Sequence, residues 1–342
     1  MAFKALNIAT GENIVILESI WERKQADLRA WSSRDALVCL GCREPVGVRL
    51  GQRRRWHFAH KHLKNCPYTS ESPELINTRA VLYRWLTSKP GLRVDIEHPC
   101  EPLPRYLDCY AEYEGKRFGY WIIDKPMRPD DREALRQGIQ ALEGIHVTCL
   151  FVSEMLRQNQ DNPNDIILTT TERDFKTFSE YDRLYTPNAH TARASLHYLD
   201  GEAGILTTFR GLELRHGQQL HHGIRKQQPL AEVLLSPATG EFTFRGEIEA
   251  LAKFEKDQAL RRQKREAQER RLQERKELSA AVSIATAPQS PPIEPPPAKP
   301  AYSGAKAVGT CVFCGEETTD WWSYDGKTGM CKCRRCLKQG KG

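Results

Sequence analysis

Long apolar runs are absent from this sequence, and none approaches the roughly 18 residues that a helix needs to cross a bilayer. The first residues, Met1-Ala2-Phe3-Lys4, do not lead into the apolar stretch and small-residue cleavage site of a signal peptide. A strong excess of one charge is also lacking, because 51 Lys/Arg face 44 Asp/Glu and the formal net charge is +7. These absences argue against membrane and secreted classes, and we expect a cytoplasmic protein.

Cysteine, by contrast, is plentiful, with 11 residues in a chain of 342. A chain of this length has room for two or three domains, so it does not need disulfides to fold. At least eight of the cysteines fall into two groups with the spacing of metal ligands, one near each end of the chain. Thiols held by zinc in a reducing compartment therefore explain them better than disulfides do.

The first group extends from Cys39 to Cys66. Cys39-Leu40-Gly41-Cys42 places two thiols on one tight turn, in which Gly41 is expected to relieve strain. His57-Phe58-Ala59-His60 and then Cys66 follow within about thirty residues, close enough to complete a tetrahedral Zn²⁺ site. Two buried cysteines beside a surface histidine cluster are the alternative. Five candidates compete for four places, with Cys66 or one histidine in excess: Cys39, Cys42, His57, His60 and Cys66.

The same stretch is locally basic. Residues 43–64 contain seven Lys/Arg and one acid, Glu44. Such a concentration of positive charge suits the phosphate backbone of a nucleic acid. We therefore expect Arg53, Arg54 and Arg55 to bind DNA, with a solvated surface as the alternative.

This combination of motifs resembles the competence protein CoiA family. The resemblance depends on the Cys-x-x-Cys pair, the basic hairpin, His57-Phe58-Ala59-His60, Cys66 and the Ser72-Pro73-Glu74 start of a helix, and it covers about residues 1–155. It implies a small zinc-binding module joined to a nuclease-like domain. It also implies a role in handling DNA that enters the cell during transformation.

Residues 69–155 carry the pattern of an α/β core. Ser72 or Ser70 can cap a helix that Lys89-Pro90-Gly91 ends, and apolar residues recur between them at helical spacing. Strand-like segments follow at 92–96, 105–111 and 118–123, then a helix over about 130–142 and a buried strand at 145–152. This order of elements resembles the PD-(D/E)xK nuclease architecture.

That resemblance implies a Mg²⁺ ion held by acids on two neighbouring strands, with a lysine two residues after the second acid. Asp108 fits the first acid, and Arg105 matches the family's Arg-x-x-Asp. The second strand departs from the pattern, because Ile123 stands where an acid is needed. A displaced catalytic site would use Asp108, Asp124 and Lys125, and we expect weak or absent cleavage. A surface acid at Asp108 and a plain turn at Asp124-Lys125 before Pro126 are the alternatives.

The rest of the chain first forms a β-rich extension, over residues 156–250, where short alternating runs are bounded by glycines. Residues 251–283 are rich in opposite charges four positions apart, which predicts a solvent-exposed helix. Six prolines between 291 and 300 predict a stiff linker over 284–308.

The last module, residues 309–342, contains the second cysteine group. Two cysteine knuckles about 17 residues apart indicate a zinc ribbon, with Cys331 or Cys333 in excess. Nearby aromatic and basic residues can stack on bases or hold phosphates, or the aromatics can form a miniature core. The candidate metal ligands are Cys311, Cys314, Cys331, Cys333 and Cys336, and the candidate DNA contacts are Lys332, Arg334 and Arg335.

The sequence thus predicts a mixed α/β (α+β) protein with a β-rich zinc module at residues 1–68 ahead of the segments described above. The favoured function is a cytoplasmic DNA-binding and DNA-processing accessory protein with two Zn²⁺ sites and a degenerate nuclease-like core. An active endonuclease that uses Mg²⁺ is the first alternative. A scaffold in which both zinc modules bind protein partners is the second, and the C-terminal ribbon is a candidate contact for such partners.

Overall fold

The computed structural model describes residues 3–51, 55–62, 66, 71–185, 194–215, 220–285, 308–318, 321–325 and 330–338. The chain forms two compact units, Met1–Glu269 and Arg270–Gly342. The predicted proline-rich linker lies mostly outside the described residues. Within the described part of the chain, no helix is both long and apolar enough to span a membrane.

The first unit begins with a small β-rich region. Strands β1 (Lys4–Asn7), β2 (Glu12–Val15) and β3 (Leu37–Val38) form a sheet in the order β2-β1-β3. Gly11, with φ 75°, sits in the turn of the predicted hairpin over residues 3–18, which the β1–β2 pairing confirms. Strands β4 (Val46–Arg49) and β5 (His57–His60) form a second hairpin.

The sequence analysis does not predict two short helices that lie between β2 and β3: α1 (Ile20–Arg23) and α2 (Gln25–Ser33). Ser19 stands at the N-cap of α1, but its side chain makes no capping hydrogen bond. Leu28 is the one fully buried side chain of α2, so neither helix carries a strong apolar stripe.

Helix α3 (Pro73–Thr87) has the predicted start. The Ser72 hydroxyl accepts a hydrogen bond from the backbone N–H of Leu75, and Pro73 occupies the first turn. Its inner face buries Leu82, Trp85 and Leu86 against the central sheet. The turn at Gly201 presses closely on this helix, since a Cβ there would lie 2.4 Å from the backbone nitrogen of Thr78.

The central sheet has eight strands in the order β10-β13-β12-β11-β9-β8-β7-β6. Strands β8, β9 and β11 run parallel to one another, and the remaining pairs are antiparallel, so the sheet is mixed. Helix α4 (Pro129–Ala141) makes the crossover from β8 to β9. The strands are β6 (Arg93–His98), β7 (Leu107–Tyr113), β8 (Lys116–Ile123), β9 (Ile145–Val152), β10 (Asp165–Ile167), β11 (Ala194–Asp200), β12 (Ile205–Leu214) and β13 (Leu220–Pro229).

This sheet joins the predicted core and the predicted β-rich extension, because β9 pairs directly with β11 through Phe151 and Tyr198. The mixed α/β class is therefore confirmed. The smaller elements of the unit are α5 (Thr170–Asp174), α6 (Asp182–Tyr185) and the pair β14 (Leu234–Leu235) and β15 (Phe242–Thr243).

Helix α7 (Glu247–Ala285) begins in the first unit and extends into the second. Its side chains from Glu255 to Glu277 are exposed, as the charged sequence predicts. The Arg262–Glu266 ion pair is of the expected i,i+4 type.

The second unit contains a four-stranded sheet in the order β17-β16-β19-β18. Its elements are β16 (Gly309–Cys311), β17 (Glu317–Thr318), β18 (Trp321–Asp325), β19 (Met330–Cys333) and α8 (Arg334–Lys338).

Candidate metal centres and the candidate nuclease site

The fold brings four side chains of the first cysteine group together. The ligand atoms of Cys39, Cys42, His60 and Cys66 all lie within 4.8 Å of one another. The Sγ atoms of Cys39 and Cys66 are 3.8 Å apart, and two sulfurs bound to one tetrahedral zinc would be separated by about the same distance. Cys42 Sγ lies 3.2 Å from Nε2 of His60. This Cys₃His set fits a structural Zn²⁺ ion.

A tight turn after β3 sets the first two ligands in place. The backbone N–H of Arg43 donates to the carbonyl of Cys39, and the N–H of Cys39 donates to the carbonyl of Glu44. Both thiols thereby face one point. The residue with left-handed backbone geometry is Arg43, with φ 60°, so the expectation that Gly41 relieves the strain is wrong.

His57 lies outside this group of four. It is buried, and its Nδ1 donates to the backbone carbonyl of Arg55 at 2.7 Å, which fastens the start of β5. Residues three apart on a strand point to opposite faces, so His57 and His60 cannot both reach the metal. Burial lowers the pKa of His60, which favours the neutral imidazole that a zinc ion requires.

The second unit has its own group: Cys311, Cys314, Cys333 and Cys336, again within 4.8 Å of one another. Cys314 and Cys333 Sγ are 3.9 Å apart. The turn repeats that of the first group, because the N–H of Gly315 donates to the carbonyl of Cys311 and the N–H of Cys311 to that of Glu316. Cys331 is buried on β19 beside Cys311 but is not one of the four. This Cys₄ set also fits Zn²⁺.

The candidate catalytic acid, Asp108, is fully buried at the start of β7, so the alternative of a surface acid is wrong. Its Oδ1 accepts hydrogen bonds from Arg79 and Arg105, at 2.8 and 3.0 Å. Its Oδ2 accepts from Arg105 and from the backbone N–H of Ile122, at 3.0 and 2.7 Å. Two guanidinium groups and a peptide N–H therefore hold this carboxylate.

Electrostatics keep that carboxylate charged. Burial alone would raise the pKa of Asp108, but Arg105 and Arg79 outweigh burial and hold the pKa below its ordinary value. Arg79 is itself fully buried on α3 and also donates to Glu71 and Glu97. Because four hydrogen bonds already occupy the Asp108 oxygens, a metal ion could bind there only after an arginine moved away.

Asp124 and Lys125 follow the end of β8. The pairing of β7 with β8 is regular from Cys109–Tyr120 to Tyr113–Lys116, and that of β8 with β9 is regular as far as Ile123–Phe151, so neither described pairing contains a bulge that would rotate Asp124 towards Asp108. Asp124 is half-buried and Lys125 exposed, and both line a cavity of about 610 Å³ that Arg105 also lines. Among the described residues, the two cysteine-rich groups are the only sets of three or more candidate ligands that could share a metal ion.

The candidate DNA contacts are only partly covered by the structure. Arg53 and Arg54 lie outside the described residues, as does the side chain of Lys332. Arg55 is half-buried, and its Nη2 donates to the carbonyl of Gly201 at 3.1 Å. Burial and the nearby charge of Arg84 lower the pKa of Arg55. Arg334 and Arg335 are exposed at the start of α8.

Sequence reasoning also missed a second buried arginine, Arg210 on β12. Its guanidinium donates to Glu241 at 2.8 Å and to Glu247 at 3.2 Å, and to the carbonyl of Phe242 at 2.6 Å. The network ties the start of α7 to the central sheet. Nothing local in the sequence marks Arg210 as buried, because both of its carboxylate partners lie more than thirty residues away.

Comparison with known proteins finds a family that matches part of the chain. Residues 20–69 match the family described as Competence protein CoiA, N-terminal domain. These residues include all four side chains of the first candidate metal centre. No curated protein and no solved structure matches the chain.

Proposed function

Starting from the match of residues 20–69 to the N-terminal domain of competence protein CoiA, we propose that the protein binds and helps to process incoming DNA. In this proposal, zinc modules flank a nuclease-like core that no longer cleaves. Zinc would hold the two cysteine-rich turns in shape, and no step of the chemistry passes through it.

The state of Asp108 is the observation that carries the non-cleaving part of the proposal. Metal-dependent hydrolysis needs a cation held by at least two available oxygen ligands. Asp108 is fully engaged with Arg79, Arg105 and the N–H of Ile122. Ile123, where the resembled nucleases have an acid, is apolar and buried. The core is therefore better suited to hold a phosphate than to activate water against it.

A second candidate function keeps the active Mg²⁺ endonuclease. Asp124 and Lys125 line the same cavity as Arg105, which supports it. In this version, movement of an arginine would free Asp108 to share a metal with Asp124, and Lys125 would position the water.

We also propose a cytoplasmic location. All eleven cysteines are free thiols, including the seven in the two candidate metal centres. Zinc–thiolate centres persist where thiols stay reduced.

DNA binding by the full-length zinc-loaded protein tests the proposal. Fluorescence anisotropy on single-stranded, double-stranded and branched DNA, over a series of salt concentrations, should give an affinity that falls steeply with salt. The double variant Arg53→Ala/Arg54→Ala should weaken all three DNAs and reduce the salt slope by about two units. Arg55 stays intact here because it contacts Gly201.

The matched control is Arg93→Ala/Arg136→Ala. It removes the same charge from two exposed arginines that pair with Glu112 and Glu133 on the surface. Zinc-loaded protein without DNA binding at low salt would refute the proposal and favour a protein-interaction scaffold. Strong cleavage with Mg²⁺ or Mn²⁺ that disappears in Asp124→Asn would favour the endonuclease.

A further inference from the structure

The cavity at the end of β8 combines exposed and anchored positive charge with an apolar wall. Its volume of about 610 Å³ falls within the range of small-molecule sites. Arg105, Lys125 and Arg128 contribute positive charges and Asp124 and Asp131 negative ones. Pro104, Pro126, Met127 and Ala134 are among the apolar residues that line it.

Arg105 is held rigidly at this cavity. Its guanidinium stacks over the ring of Trp121, 4.0 Å from the centroid, and forms a bidentate pair with Asp108. A third N–H donates to the carbonyl of Ile122 at 2.9 Å. Of the five N–H donors of a guanidinium, two thus have no acceptor among the described residues. Arg105 is positioned in advance and still has donors available to a ligand.

Unlike Arg105, the other charged groups of the cavity have no charged partner among the described residues. Within the described part of the chain, Lys125, Arg128, Asp124 and Asp131 form neither an ion pair nor a side-chain hydrogen bond. Their backbone is nevertheless fixed. The N–H of Met127 donates to the Thr171 hydroxyl at 2.8 Å, and its carbonyl accepts from Arg132 at 3.1 Å. A fixed loop that presents charges without internal partners is suited to an external ligand.

The mixture of charges selects the class of ligand. Three cations against two acids suit an anion only weakly, and the acids would repel a bare anion. A nucleotide satisfies both signs, because its phosphate accepts from arginine and lysine while the N–H groups of its base donate to carboxylates. Its sugar and base would lie against the proline and methionine wall.

We propose that this cavity binds a single nucleotide unit of DNA without a metal ion, with Arg105, Lys125 and Arg128 contacting its phosphate. The inference rests on the proposed DNA-binding function and names the contact that the nuclease-like core makes. Arg105 is the anchor, and the two exposed cations add affinity.

Titration with thymidine 5′-monophosphate, and with thymidine as the phosphate-free comparison, tests the inference. Calorimetry on full-length protein in magnesium-free buffer should detect the nucleotide and not the nucleoside. Lys125→Ala/Arg128→Ala should weaken nucleotide binding about tenfold, since two charged hydrogen-bond donors are lost. Both side chains are exposed, so folding should be unaffected. The control Arg93→Ala/Arg136→Ala should bind as the unaltered protein does.

The two proposals fail differently. Unchanged nucleotide and DNA binding in Lys125→Ala/Arg128→Ala, while Arg53→Ala/Arg54→Ala weakens DNA binding, would overturn the cavity inference and leave the function standing. Nucleotide binding without any DNA binding would refute the function instead. Nucleotide binding that requires Mg²⁺ and is lost in Asp124→Asn would overturn the metal-free site, because the acids would then hold a cation.

Discussion

The two candidate metal centres share a turn but differ in what surrounds them. In each, the N–H after the second cysteine donates to the carbonyl of the first, and the first cysteine's N–H donates to a glutamate carbonyl. Cys39 and Cys66 belong to a large apolar cluster that includes Leu37, Val46 and Phe58. In the second unit, the buried cluster within the described residues consists of cysteines alone: Cys311, Cys331, Cys333 and Cys336.

Zinc is therefore expected to contribute differently to folding at the two ends of the chain. A small domain whose buried cluster, among the residues that the structure describes, consists of cysteines depends on its metal to fold, because the free energy of binding is then the free energy of folding. The first centre instead closes a loop onto a sheet region that has its own apolar contacts. Zinc is therefore expected to be the core of the second unit and a clamp on the first.

The largest expected effect is loss of the second centre. Cys336→Ser should remove one of two zinc equivalents and unfold the described ribbon, since structural zinc sites contribute on the order of 10 kcal/mol to folding. Metal analysis, together with protease sensitivity after residue 308, would measure this in the full chain. A ribbon that kept its protease resistance with only one zinc bound would contradict the comparison.

Loss of the first centre should have a smaller and more local effect. Cys42→Ser should also remove one zinc equivalent, and it should open the segment between β3 and Cys66 while the central sheet and the ribbon remain folded. We expect a loss of several kcal/mol, comparable to other large single-site effects. Hydrogen exchange would locate the opening. Exchange that spread through β7, β8 and β9 would show that this zinc is more than a clamp.

Several features of the two centres can be predicted from the sequence alone. Cysteine spacing identified both groups, and Ser72-Pro73 identified the start of α3, because these signals are local. That one of the two histidines is in excess could also be predicted. Once residues 57–60 are taken as a strand, the alternation of side chains leaves room for one histidine at the metal.

The surroundings of Asp108 could not be predicted from the sequence. Its partner Arg79 lies on α3, 29 positions earlier, and only the packing of that helix on the sheet brings the two together. Sequence periodicity places Asp108 on a strand but says nothing about what covers it. For the same reason, an acid that matches a catalytic motif is here a member of a buried ion-pair network.

Glu97 links this network to the β-rich region that carries the first centre. Its carboxylate accepts hydrogen bonds from Arg79 and from the backbone N–H groups of Phe3 and Lys4. Burial raises the pKa of Glu97 from 4.5 to about 7, against the attraction of Arg79 and with the help of nearby Glu71. Three carboxylates share two arginines here, which leaves one negative charge in excess.

A raised pKa predicts stability that falls as pH rises. The folded state holds a proton that the unfolded state releases above about pH 4.5, so Glu97's contribution is complete below that pH and is lost on the way to pH 7. Glu97→Gln should remove up to about 3 kcal/mol of this pH dependence. Urea unfolding of both proteins from pH 5 to 8 measures the difference in their free energies of unfolding. Protonation of the metal ligands affects both proteins alike, so it does not contribute to this difference. A difference of the opposite sign would show that Arg79 dominates.

The smallest expected effect tests the shared turn itself. The residue after the second cysteine has positive φ in both centres, 60° at Arg43 and 73° at Gly315. Glycine adopts this geometry without strain, whereas other residues are disfavoured by about 1 kcal/mol.

Gly315→Ala should therefore weaken zinc retention in the ribbon. Apart from Gly315 itself and its two chain neighbours, no atom of the described residues lies within 4 Å of the added Cβ, so the effect would come from the backbone alone. Arg43→Gly should instead leave zinc retention at the first centre unchanged or slightly improved, because strain is relieved while the unfolded chain gains freedom. Competition with a chromophoric chelator, on each variant in the full chain, compares the two sites. If Arg43→Gly strengthened zinc retention by as much as Gly315→Ala weakened it, the turn would be under the same strain at both centres. The apolar cluster around Cys39 would then not reduce the effect of that strain.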